Sequence, residues 1–75
     1  MAKSKRWTDH YRGRLLAGRS MTAMSQKAGV SLPHVSLILA GRRAPSLDVA
    51  ARMAKAARMD LTTWHRVYQR LLSLL

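Results

Sequence analysis

Gly29 stands between two short apolar segments, and this arrangement restricts the fold more than any other feature of the sequence. In the segment before it, Met24 and Ala28 are four residues apart, as on one face of a helix. Glycine adopts a left-handed conformation at little steric cost, and Ser31 can then cap a new helix. The sequence therefore predicts two short helices joined by a tight turn.

The helix after this turn has an apolar face and a basic exit. Pro33 falls in its first turn, where a missing N–H costs no hydrogen bond. Val35 and Ile38 supply the apolar face, and Gly41 ends the helix. Two short helices joined in this way form a helix-turn-helix, whose second helix projects into the major groove of DNA.

Start signals mark three further helices. Thr8 can cap a first helix through about residue 17, with Asp9 in its first turn. A fourth helix is predicted over residues 47–57 and a fifth over residues 61–74, the latter capped by Asp60. Five residues are predicted to face inward from the fourth helix: Leu47, Ala50, Met53, Ala54 and Ala57.

These helices account for nearly the whole chain. The apolar residues are mostly Ala, Leu and Met, which favour helix. We predict a compact all-α, five-helix domain over residues 8–75, preceded by a flexible basic arm over residues 1–7. The arm could also reach along DNA.

The charge of the chain indicates its partner. Fourteen Lys and Arg stand against three Asp and Glu, which gives a net charge of +11. Such a surface concentrates polyanions, with nucleic acid the first candidate and anionic membrane the second. The chain has no cysteine, no apolar run that would make a secretory signal, and no segment near the roughly 18 apolar residues of a membrane span. We expect a cytoplasmic protein, on the nucleoid when it is bound to DNA.

The last helix, residues 61–75, carries more apolar residues than one core-facing side needs. An exposed apolar face usually marks an interface, so the pattern predicts a homodimer. The alternative is a last helix folded wholly against its own domain. The predicted dimer contacts are Trp64, Val67, Tyr68, Leu71, Leu72 and Leu75.

Residues 27–64 resemble the lambda-repressor-like helix-turn-helix family of Cro and XRE-type regulators, and the resemblance extends over about residues 8–68. The segment reads KAGVSLPHVSLILAGRRAPSLDVAARMAKAARMDLTTW. The resemblance implies a five-helix domain that binds operator double-stranded DNA, commonly as a dimer, and that represses transcription or regulates a phage or mobile-element switch. It also implies which residues contact DNA. The side chains at or beside the base edges are Ser31, Leu32, Pro33, His34, Ser36 and Leu37, and the phosphate contacts are Met21, Thr22, Arg42 and Arg43.

Four of these positions depart from the pattern of the family, and one of them is Met21, where many relatives have Gln. Leu32, Pro33 and Leu37 are apolar where relatives often carry hydrogen-bonding side chains. Apolar side chains can contact thymine methyl groups but cannot make the bidentate hydrogen bonds that identify G or A. Base choice would then depend on His34, Ser36, a nearby arginine or DNA shape.

Other classes of function have less support. His10, His34 and His65 lie on separate predicted helices, and the three acids are each predicted near a helix start, so we expect no metal site, no catalytic site, no cofactor and no small-molecule substrate. Arg52, Lys55 and Arg58 are spaced three residues apart along the fourth helix. This spacing is more typical of a solvent-exposed helix face than of a set of phosphate contacts. The main alternative is an antitoxin-like or adaptor domain whose partner is another protein. A membrane-active helix set and an RNA-binding domain are further alternatives.

Overall fold

A computed structural model describes the backbone of residues 2–75 and the side chains of residues 6–75. That part of the chain is helical, with no strand, and the expected all-α fold is confirmed. None of its helices is long and apolar enough to cross a membrane. The helices are α1 (Ala2–Leu16), α2 (Met21–Ala28), α3 (Leu32–Leu39), α4 (Leu47–Ala56) and α5 (Leu61–Leu72).

Four of the helices begin at a polar cap, as the sequence predicts for α3 and α5. Ser20, Ser31 and Ser46 each accept a hydrogen bond from the N–H three residues further on. Asp60 accepts one from Thr63 N–H at 3.3 Å. Hydrogen bonding to Thr63 also holds the pKa of Asp60 below its usual value. The caps define where α2 to α5 begin.

The first helix differs from the prediction. It begins at Ala2, not after Thr8, and Thr8 is buried within it. The sequence predicts a flexible arm over residues 1–7, but the backbone of residues 2–7 is helical, which corrects the prediction for those residues. Lys, Arg and Ala there favour helix, and no Gly or Pro precedes Gly13 to stop it. Met1 and the side chains of residues 1–5 lie outside the described residues, so a DNA contact from this end stays a prediction.

The last helix is the centre of the core. α5 packs against α1 on one side and α4 on the other. Four of the predicted dimer contacts are consequently buried in their own chain, namely Trp64, Val67, Tyr68 and Leu71. The predicted interface is wrong for these four, because α1 and α4 together cover a wider face of α5 than one core-facing side. Leu72 is half-buried and Leu75 is 56% exposed, so these two remain at the surface.

The start of α4 also departs from the prediction. Leu47, expected to face inward, is 75% exposed. Side chains on a helix tilt toward its N-terminus, so the first residue of α4 extends past the packed part of the helix. Leu47 instead borders an apolar groove of about 540 Å³ between α4 and α5, whose other lining residues include Leu61 and Leu72.

Two glycines hold the ends of α3 in place. Gly29 has φ +69° and makes the predicted left-handed turn into α3. Gly41 has φ +73° after α3, and a Cβ added there would lie 2.6 Å from Leu75 Cδ1. The C-terminal residues therefore pack directly over the turn that ends α3.

Candidate nucleic-acid interface

The outward face of α3 is uncovered. Val35, Ile38 and Leu39 point into the core and are fully buried. Leu37, on the opposite face, and Leu32, the first residue of the helix, are 39% and 41% exposed. The remaining predicted base-edge residues are also at the surface: Ser31, Pro33 and Ser36 are exposed and His34 is half-buried.

Distant side chains fix the C-terminal end of α3. Arg12 Nε, on α1, donates a hydrogen bond to the Leu39 carbonyl at 3.0 Å. Tyr68 OH, on α5, donates one to the Ile38 carbonyl at 3.0 Å. Burial raises the pKa of Tyr68, so the phenol remains a donor to higher pH than an exposed tyrosine would. Side chains of α1 and α5 therefore both hold the C-terminal end of α3.

Sequence reasoning did not find Arg12 or Tyr68 as residues that position α3. They lie 27 and 30 residues from the carbonyls they bind, and no local spacing signals such a contact. The apolar pattern of α5 instead predicts Tyr68 to be a dimer contact. Its apolar spacing on α5 is equally compatible with a core position, which is the one it occupies.

The start of α2 presents backbone N–H groups. Met24 N–H makes the first helical bond, to the Ser20 carbonyl at 3.0 Å, and Ala23 N–H binds the Ser20 side chain. The N–H groups of Met21 and Thr22 precede these bonds, and such groups bind anions at helix N-termini. Met21 is half-buried and Thr22 exposed. An anionic group can therefore approach this end of α2.

A basic loop follows α3. Arg42 and Arg43 are both exposed. Their backbone is held in place, since Arg42 N–H binds the Leu37 carbonyl at 3.0 Å and Tyr68 OH lies 3.4 Å from the Arg43 carbonyl. Within residues 6–75 the one ion pair joins Arg52 to Asp48. Both guanidinium groups of the loop are thus available to an external anion.

Side chains suited to metal or acid–base chemistry do not come together. In the described part of the chain, no group of three or more His, Cys, Asp or Glu side chains could hold a metal ion. His10, His34 and His65 lie on α1, α3 and α5. The candidate site therefore consists of the uncovered face of α3, the N–H groups at the start of α2 and the exposed guanidinium groups of Arg42 and Arg43.

The comparisons with known proteins agree with this geometry. No curated protein and no solved structure was found to match the chain. A family model described as "Helix-turn-helix" matches residues 11–64, well over half of the chain, and the match includes all of α2, α3 and α4. The chain thus belongs to the lambda-repressor-like helix-turn-helix family, whose members of the Cro and XRE type are DNA-binding transcriptional regulators.

Proposed function

We propose that the protein is a Cro-like repressor that binds a palindromic operator as a dimer, with α3 in the major groove. The observation that carries this proposal is the uncovered outward face of α3, bordered by Arg42 and Arg43. α3 has eight residues, and an α-helix with its side chains is about 10–12 Å across. The major groove is about 12 Å wide and admits such a helix.

Base recognition in this proposal combines apolar and polar contacts. Leu32, Pro33 and Leu37 meet thymine methyl groups, because they have no hydrogen-bonding atoms in their side chains. His34 and Ser36 supply hydrogen bonds to base edges. Both belong to the part of α3 that the Ser31 cap and the Tyr68 hydroxyl hold in place.

Phosphate contacts are proposed at both ends of the helix-turn-helix. The N–H groups of Met21 and Thr22 bind one phosphate at the start of α2. Arg42 and Arg43 bind others beyond α3. These contacts fix the position of the protein on DNA but carry no sequence information directly.

A selection of bound sequences from a random duplex pool tests this function. We expect a two-fold symmetric motif, because two copies of α3 read two half-sites. Arg42→Ala combined with Arg43→Ala should weaken binding to every sequence alike, whereas His34→Ala or Ser36→Ala should change which bases are preferred. Variants of all four residues that retain the affinity and the preference of the parent protein would contradict the proposal.

The dimer is proposed to form through the apolar groove between α4 and α5. Its lining includes Leu47, Leu61 and Leu72 and contains no Lys, Arg, Asp or Glu. Two copies of a chain with a net charge of +11 repel each other, and an uncharged face lowers that cost. Ala44 and Pro45 also line the groove. Because they directly follow Arg42 and Arg43, dimerisation there would bring two basic loops and two α3 helices side by side.

Replacing Leu47 by lysine tests the dimer surface. The added cation should destabilise association by about 2 kcal/mol, roughly a 30-fold rise in the dimer dissociation constant, because it is buried against an apolar face of the second copy. Sedimentation velocity over a concentration series measures this. Ala51→Lys, on another exposed position of α4, is the control with the same change in charge. Equal association of both variants would reject this surface. A wild-type chain that is monomeric and forms a stoichiometric complex with another protein would favour the adaptor alternative.

A further inference from the structure

Four basic side chains line a second groove, away from the outward face of α3. This groove, of about 580 Å³, runs between α2 and α4 and is lined by Lys27, Arg52, Lys55 and Arg58. All four residues are exposed. We call it the α2–α4 basic groove.

The positive charge of the α2–α4 basic groove is largely unneutralised. Arg52 pairs with Asp48 at 3.1 Å, but both side chains are more than half exposed, and exposed pairs of this kind hold each other weakly. It is the one ion pair within residues 6–75, so Lys27, Lys55 and Arg58 have no acidic partner there. Lys27 and Lys55 lie in the last turns of α2 and α4, where they also offset the helix dipoles.

Arg58 differs from the other three in its backbone conformation. It follows α4 with φ +57°, a left-handed conformation that usually belongs to glycine. The turn has the hydrogen bonds of a glycine-ended helix, from Arg58 N–H to the Lys55 carbonyl and from Met59 N–H to the Ala54 carbonyl. A strained backbone position thus carries a cation that lines the groove.

The groove adjoins the turn of the helix-turn-helix. A Cβ added to Gly29 would lie 3.6 Å from Arg52 Nη1, so the guanidinium of Arg52 reaches the turn that leads into α3. Ser31, the cap of α3, is two residues further along the chain. The basic groove therefore reaches the turn that leads into the helix that we propose to read DNA.

We propose that the α2–α4 basic groove binds backbone phosphates of the DNA that flanks the sequence read by α3. This inference rests on the proposed function and extends its footprint beyond the phosphates contacted by Arg42 and Arg43. Lys27, Lys55 and Arg58 would bind the flanking phosphates, and Arg52 would join the groove to the reading helix. These contacts add affinity without base preference.

Neutralising the groove tests the proposal directly. Lys27→Gln combined with Lys55→Gln should lower affinity about tenfold for a selected duplex extended by about ten base pairs on each side. The slope of log K against log salt should become shallower by about 1.8, the value for two lost phosphate contacts. A short duplex that ends at the selected motif should show a much smaller effect.

A second basic groove provides the matched control. Arg66 and Arg70 line a groove between α1 and α5 together with Arg14, and Arg66→Gln with Arg70→Gln removes the same number of charges. This control should affect long and short duplexes alike. If the two double variants behave identically, or if the loss from the α2–α4 groove does not depend on duplex length, only general charge is involved and the inference is overturned.

Arg58→Gly separates binding from stability. Glycine relieves the left-handed strain, so the melting temperature should rise by about 3 to 6 °C. Affinity for the extended duplex should nevertheless fall several-fold, because a phosphate contact is lost. A more stable variant with unchanged affinity would argue against the groove. That result would leave the proposed function intact, since His34→Ala and Ser36→Ala would still change base preference.

Discussion

Replacing Trp64 by alanine is expected to unfold the protein. Trp64 is fully buried at the end of the first turn of α5, and its ring stacks on Tyr68 with centroids 5.3 Å apart. Loss of such a ring costs about 3–5 kcal/mol. A small domain has little more than that to lose, since stabilities of about 5–15 kcal/mol are typical and small cores lie at the low end. Urea unfolding followed by circular dichroism would measure the change.

Trp64→Phe is the control for this prediction. The indole Nε1 is buried with no hydrogen-bond partner in the described part of the chain, and a buried donor without an acceptor is destabilising. Phenylalanine removes that donor and keeps an aromatic ring, so it should cost clearly less than alanine. An alanine variant as stable as the parent protein would show that α5 does not hold the core together.

The helix-turn-helix itself could be predicted from the sequence because its signals are local. Ser20, Gly29 and Ser31 act within three or four residues of themselves, through caps and a left-handed turn. The bounds of α2 and α3 follow from them. The outward position of Leu37 then follows from the inward position of Val35 and Ile38, since a helix has two sides. Leu32 is exposed because it is the first residue of α3.

The start of α1 could not be predicted because no residue there enforces one. Thr8 is a good cap in isolation, but Lys, Arg and Ala before it favour helix, and the helix continues back to Ala2. The support of α3 by Arg12 and Tyr68 was also beyond sequence reasoning, since it depends on tertiary contacts.

The dimer contacts were mispredicted because an apolar helix face does not reveal what covers it. Trp64, Tyr68 and Leu71 have the spacing of a buried face, and that face could lie against a second copy or against the same chain. In this fold α1 and α4 lie on either side of α5 and bury all three. Leu47 shows the reverse error, an inward prediction for a residue that is exposed.

Replacing Leu37 by glutamate is expected to abolish specific DNA binding while leaving the fold intact. Leu37 lies on the outward face of α3 and is 39% exposed, so the change should alter the melting temperature little. A carboxylate there would approach base edges and phosphates, while Arg42 and Arg43 are engaged with phosphates in the proposed complex. Such like-charge contact costs several kcal/mol, so affinity for the selected motif should fall by about 100-fold or more. Fluorescence anisotropy with a labelled duplex would measure it.

Arg66→Gln controls for charge alone, because it lowers the net charge by the same amount on the exposed surface of α5. It should weaken binding only slightly, and the loss should shrink as salt is raised, since it comes from the general field of the protein. The loss in Leu37→Glu should persist at high salt, where the carboxylate still occupies the space against the bases. If both variants lost affinity equally at every salt concentration, charge and not the face of α3 would govern binding, and the assignment of α3 as the reading helix would be wrong.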